Sequence, residues 1–147
     1  MNIKVAYLSR TGHSRKLAGA IADALRLEAE NIADNPYFEG IDLLFLAGGI
    51  YGSESLPEML SFVKSLNPAK VKQVALVTSC VSQKKQQDSV RRDLTDKGIR
   101  VIDEFMCQGS LLFIGLKHPD REDLDRAASF ALHTAARAEG DFNKISG

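Results

Sequence analysis

The feature that most constrains this chain is a regular alternation of short apolar runs with longer segments of helical periodicity. Residues 3–8 (IKVAYL) are rich in β-branched and aromatic side chains and end in a polar, glycine-containing turn. Leu17, Ile21, Ala24 and Leu25 then recur at helical spacing, which predicts an amphipathic helix over 13–27. Residues 28–32 predict a short strand, with Asn35-Pro36 marking the loop after it. Residues 43–47 (LLFLA) are apolar without alternation, as a central strand covered on both faces requires. Pro57 suits the first turn of a second helix, whose buried stripe is Leu60, Val63 and Leu66. Residues 74–77 (VALV) read as another buried strand. The polar stretch 83–97 reads as an exposed helix with Val90 and Leu94 as its apolar pair and Gly98 as a left-handed cap. Residues 99–106 supply the last strand. Asp120 caps a final helix with Leu124, Ala127, Ala128, Ala131 and Ala135 on its inner face.

That order, β-α-β-β-α-β-α-β-α, implies an α/β fold with right-handed crossovers and a three-layer, doubly wound, five-stranded parallel sheet. One domain is expected over 1–140, with 141–147 a frayed C-terminal tail beyond Gly140. The 147 residues suffice for one substantial core, and 44% hydrophobic with 26% charged residues is ordinary globular composition. Nineteen basic and nineteen acidic residues cancel, leaving no bulk attraction for nucleic acid or anionic lipid. The longest apolar runs, 43–50 and 111–116, are too short to span a bilayer. Neither nucleic-acid binding nor membrane insertion is therefore expected, and the expected location is cytoplasmic. Cys80 and Cys107 are too few and too far apart for a disulfide framework or a zinc motif.

In doubly wound sheets ligands bind beyond the carboxyl ends of the strands, where strand order reverses. Three loops matter: 9–14, 48–55 and 79–85. The first, Ser9-Arg10-Thr11-Gly12-His13-Ser14, follows a buried strand and opens a helix. Free backbone N–H groups and the positive end of the helix dipole converge there. Ser9, Thr11 and Ser14 add hydroxyls, and Gly12 permits close approach of a ligand. Arg15 and Lys16 sit in the first helical turn, where the dipole disfavours a cation by about 0.3–1 kcal/mol, and no acidic residue occurs before Asp23. A bound phosphate turns that penalty into an attraction. The plainer account is a hydroxyl-capped helix with solvated basic side chains. G-x-x-x-x-G-K-S/T and G-x-G-x-x-G are both absent, which removes the triphosphatase and dinucleotide loops.

The segment resembles the phosphate loop of the flavodoxin family. The family's spaced positions fall here on Tyr7, Ser9, Gly12, Ser14, where Thr is usual, and Ala18, followed by Ile21. Ala6 stands where a bulkier apolar residue is typical. The resemblance implies a flavodoxin-like fold with strand order 2-1-3-4-5 and bound flavin mononucleotide (FMN). The phosphate would lie on Ser9 through Ser14, including Arg10, Thr11, Gly12 and His13. It further implies that the flavin ring lies between Gly49, Ile50, Tyr51 and Gly52 on one side and Ser79, Cys80 and Val81 on the other. Tyr51 would be the stacking aromatic, and the loop 79–85 lacks a second one. The glycines of the first ring loop also fit a tight turn that merely avoids clashes.

Cys80 and Cys107 fall near the expected ring edge, where a thiol role competes with simple core packing. The run 111–116 is open between core, flavin shield and docking patch. Function by resemblance is FMN-based electron transfer between redox partner proteins, by a monomer or weak homodimer. The alternatives are a flavin-dependent reductase or oxidase acting on a quinone or porphyrinogen, and a non-redox interaction module that has lost FMN. Flavodoxins that replace ferredoxin are usually strongly acidic, whereas this chain is neutral.

Overall fold

Strand β3 (Leu43–Tyr51) shows why the apolar run at 43–47 has no polar alternation. Leu44 and Leu46 enter one core, Leu43, Phe45 and Ala47 enter the other, and all five are buried. Both faces of this strand are covered, so polar side chains are excluded from either. In this computed structural model, residues 1–51, 54–79, 87–107 and 120–146 are described.

Around β3 the chain adds β1 (Ile3–Tyr7), β2 (Ala29–Asn31), β4 (Glu54–Ser55), β5 (Gln73–Ser79) and β6 (Arg100–Met106). The helices are α1 (His13–Leu25), α2 (Pro57–Ser65), α3 (Asp88–Asp96) and α4 (Arg121–Ser146), with a 3-10 turn at Ile32–Asp34. Five strands are parallel in the order β2-β1-β3-β5-β6, while β4 pairs antiparallel with the end of β3. Counting the parallel strands alone, this is the order 2-1-3-4-5 of the flavodoxin-like fold. The sequence-derived strand count and layering agree with it.

The layers follow from the strand period. Ala6, Leu44, Leu46, Val74 and Leu76 face Met59 and Val63 of α2 and Val90 and Leu94 of α3. Val5, Leu43, Phe45, Ala75 and Val77 face Leu17, Ala18 and Ile21 of α1 and Ala127 and Ala131 of α4. The α1 stripe is Leu17, Ala18, Ile21 and Ala22, with Ala24 and Leu25 only half-buried. Small residues on α1 and α4 let these two helices pack against each other.

Local signals explain most boundaries. Asp120 and Asp123 form a reciprocal cap: the Asp123 N–H donates to Asp120 Oδ1 at 2.9 Å, and the Asp120 N–H to Asp123 Oδ2 at 3.0 Å. Gly98, at φ 89°, closes α3: its N–H reaches Thr95 O, and that of Ile99 reaches Leu94 O. Gly140 does not end the last helix, which continues to Ser146. Gly140 lies outside the positive-φ residues, and a helical glycine costs only about 0.5–1 kcal/mol. Helix α1 is shorter than the pattern predicts because Arg26 turns left-handed at φ 59°.

Among the described residues, strand β6 is one edge of the sheet. Val74 pairs with Val101 and Ala75 with Asp103, so Ile102 is an extra residue, a bulge. Arg137 of α4 donates to the Ile102 carbonyl and to Asp103 Oδ2, while Arg91 of α3 pairs with Glu104.

Lys97 fastens α2 to α3. Its Nζ donates to the carbonyls of Val63, Lys64 and Leu66 at 2.8, 2.6 and 2.7 Å, gathering main-chain acceptors at the end of α2. Replacing Lys97 with Met should cost about 1–2 kcal/mol, and lower Tm by roughly 3–8 °C in a thermal melt. An unchanged Tm would show that these bonds contribute nothing net.

Candidate functional site

The loop between β1 and α1 holds two features that a helix start with ordinary capping lacks. Gly12 is left-handed at φ 90°, and no side chain caps α1 at that position. The Gly12 N–H is taken instead by Ser9 Oγ at 2.8 Å. The first main-chain bond of α1 runs from the Lys16 N–H to the Gly12 carbonyl at 3.1 Å. The backbone N–H groups of Thr11, Ser14 and Arg15 are left without an acceptor among the described residues. Open N–H groups gathered at a helix start beside a left-handed residue suit an anion. The first turn of α1 has no acidic residue, and Arg15 and Lys16 are exposed beside it.

Ser9, Gly12 and His13 are half-buried, and Arg10 and Thr11 are exposed. Ser14 differs from the solvent-facing donor that the sequence suggests: it is 1% exposed, and its hydroxyl shares a 2.6 Å hydrogen bond with Ser79. That bond joins the first loop directly to the end of β5. Two of the three expected binding segments therefore meet in space.

At the third segment the sequence reading needs correction. Gly48 and Gly49 belong to β3 rather than to a loop, pairing with Thr78 and Ser79 of β5. Both are buried, and Ile50 is half-buried. The need for glycine at 48 is packing: a Cβ there would stand 2.7 Å from Met59 Cε and 2.9 Å from Gln87 Oε1. The strand then turns back, with Ile50 opposite Ser55 and Tyr51 opposite Glu54. Gly52, Cys80 and Val81, the side chain of Tyr51, and the run 111–116 lie outside the described residues. Cys107 is buried in the core between the sheet and α1 and α4, and its N–H donates to Thr78 O at 2.9 Å. Its place is that of a small core residue.

Sequence reasoning missed Gln87, which is wholly buried and donates to Val77 O at 3.0 Å and Thr78 Oγ1 at 3.2 Å. It also missed the link from Glu54 to α3, where the Ser89 hydroxyl donates to Glu54 Oε2 at 2.9 Å. The Ser89 hydroxyl, then the Ser55 N–H, hold the Glu54 carboxyl below its ordinary range. No periodicity or motif marks either contact, because both join segments distant in sequence.

The sequence matches the flavodoxin domain family over residues 4–125. The chain belongs to this family. None of the curated proteins matches it in sequence. Among solved structures, a flavodoxin from the domain Archaea superposes with a TM-score of 0.74 at 16% identity, covering 95% of this chain and 99% of that one. A short-chain flavodoxin associated with a non-canonical PDU bacterial microcompartment gives 0.65 at 17%, covering 94% and 99%. The NAD(P)H:quinone oxidoreductase of Methanothermobacter marburgensis gives 0.63 at 12%, covering 89% and 94%. At these identities the likeness is one of fold. This flavodoxin domain matches the two flavodoxins over almost their whole length, and among its described residues no helix is long and apolar enough to cross a membrane.

Two outcomes test the site's geometry without a ligand. Gly48→Ala should destabilise the domain by about 1–3 kcal/mol through overpacking, read as a lower denaturant midpoint. Ser89→Ala should raise the Glu54 pKa toward its ordinary value in an NMR titration of its carboxyl carbon. Because folding depresses that pKa, the stability it contributes is present above the unfolded pKa and is lost as pH falls through the folded one. Removing the Ser89 hydroxyl should shrink that contribution and move its loss to higher pH.

Proposed function

We propose that this protein binds FMN at the carboxyl ends of β1, β3 and β5 and carries electrons between redox partner proteins. The observation that carries the reading is the phosphate end of the site. Open N–H groups at Thr11, Ser14 and Arg15 surround a left-handed Gly12, with two exposed cations and no carboxylate in the turn. These groups fit a phosphate and have no other evident use. The family membership and the flavodoxins among its structural neighbours support the flavin over other phosphate ligands.

When bound, the flavin supplies reversible electron uptake, and the protein's part is orientation and electrostatics. Main-chain donors of the first loop hold the phosphate, while the Ser14–Ser79 bond fixes that loop against β5. Gly49, paired with Ser79 across the ladder, and Ile50 would hold the ring. Tyr51, Gly52, Cys80 and Val81 complete the proposed ring site. The neutral overall charge suits partners unlike the basic ones that an acidic carrier steers. We place this carrier in the cytoplasm, as a monomer or weak homodimer.

Titrating the purified protein with FMN and with riboflavin, each followed by flavin fluorescence, tests this directly. FMN should bind, and more tightly than riboflavin. Equal affinity would remove the phosphate assignment, and no binding of either would leave an interaction module as the reading. Steady turnover of a quinone with a nicotinamide donor would favour an enzyme over a carrier. The pair Arg15→Glu and Lys16→Glu, both on the surface, should weaken FMN roughly tenfold and leave riboflavin nearly unchanged.

A further inference from the structure

Gln87 is the bulkiest wholly buried polar side chain among the described residues, at 0% exposure. Its amide nitrogen spends both hydrogens on the end of β5, one on Val77 O and one on Thr78 Oγ1. Its Oε1 has no partner among the described residues, and it occupies the space left open by the missing side chain of Gly48. A second buried oxygen without a partner, Ser55 Oγ, lies on β4 opposite Ile50. Two unpartnered polar side chains thus flank residues 48–50, the segment proposed to lie against the ring.

A buried acceptor left unmade is destabilising, and an apolar side chain would fill the same volume without it. What only an amide supplies here is a double donor to the strand end. On the other face of the sheet, Ser79 is fastened to Ser14. The carboxyl end of β5 is therefore held from both faces: by Gln87 on the α2 and α3 side, and by Ser14 on the α1 and α4 side.

We infer that Gln87 is a positioning residue for the flavin site. It holds residues 77–79 and, across Gly48, residues 48–50 at the spacing the ring requires. This rests on the flavin reading above. Gln87 does not itself touch the ligand; it fixes the backbone that does.

Two variants test it, Gln87→Met and Gln87→Glu, through three readouts. The first is amide hydrogen exchange by NMR in flavin-free protein. Gln87→Met should speed exchange at residues 77–79 and 48–50 about tenfold and leave the amides of Val5 and Ala131 unchanged, a local opening worth one hydrogen bond. The second is affinity: FMN and riboflavin should weaken alike, about tenfold each, because the effect is on the ring side. The third is the reduction potential of the bound flavin. A tenfold change in the preference for oxidised over reduced flavin shifts it by about 30 mV.

Gln87→Glu adds a pH signature. Burial raises the introduced carboxyl's pKa, and only the protonated form can donate to Val77 O. Flavin affinity in this variant should be highest at low pH, between those of the unmodified protein and Gln87→Met because a protonated carboxyl donates only once, and should fall to that of Gln87→Met or below as pH rises. Uniformly faster exchange at every amide, with no pH dependence in Gln87→Glu, would reduce Gln87 to a packing residue and overturn the inference. Faster local exchange with unchanged affinity and potential would also overturn it. If the unmodified protein binds neither flavin, the functional reading fails and the positioning role with it. The exchange data then decide separately whether the clamp exists.

Discussion

The burial of β3 and β5 on both faces is the constraint from which the rest of the molecule follows. Residues 43–47 alternate between two cores, and residues 74–77 do the same one strand over. A strand that is apolar on both sides needs a layer of helix on each, and parallel neighbours need helical crossovers to connect them. The three layers, the order of the strands and the gathering of loops at one edge are consequences of that single requirement. The same burial leaves the strand ends as the one place where these strands meet polar chemistry.

At those ends the molecule joins parts that are far apart in the chain. Ser14 and Ser79 are 65 residues apart and share a buried hydrogen bond. Glu54 and Ser89 are 35 apart. Gly48 is a glycine because Met59 and Gln87 fill the space beside it. The first loop is consequently not an independent motif carried on a scaffold. It is fastened to the strand whose end forms the opposite wall of the proposed site.

Much of the fold was legible because it depends on local or periodic signals. The unbroken apolar strand runs, the 3.6-residue helix stripes, Pro57, Gly98 and Asp120 each act within a few residues of their own position. Beyond Gly140 a local breaker suggests a frayed tail, whereas α4 runs on to Ser146. The first loop could be singled out as a candidate anion site because glycine, hydroxyls and cations without a neighbouring carboxylate stand together in sequence. Gly48 and Gly49 were misassigned to a loop, since nothing in Gly48-Gly49 distinguishes a turn from a strand cleared for its neighbours. Gln87 was invisible because its meaning lies in β5, ten residues back and across a layer.

The bulge at Ile102 has a consequence for how this domain coexists with copies of itself. An edge strand presents open main-chain groups on which another chain can add. On β6 the extra residue breaks the spacing that an incoming strand would have to match, and Arg137 occupies the Ile102 carbonyl. The ion pairs Arg91–Glu104 and Arg137–Asp103 would have to rearrange before a neighbour could dock there. The opposite edge, β2, is only three residues long. Among the described residues, neither edge of the sheet offers a long regular template to an incoming strand, and on β6 it is the backbone itself that spoils the match.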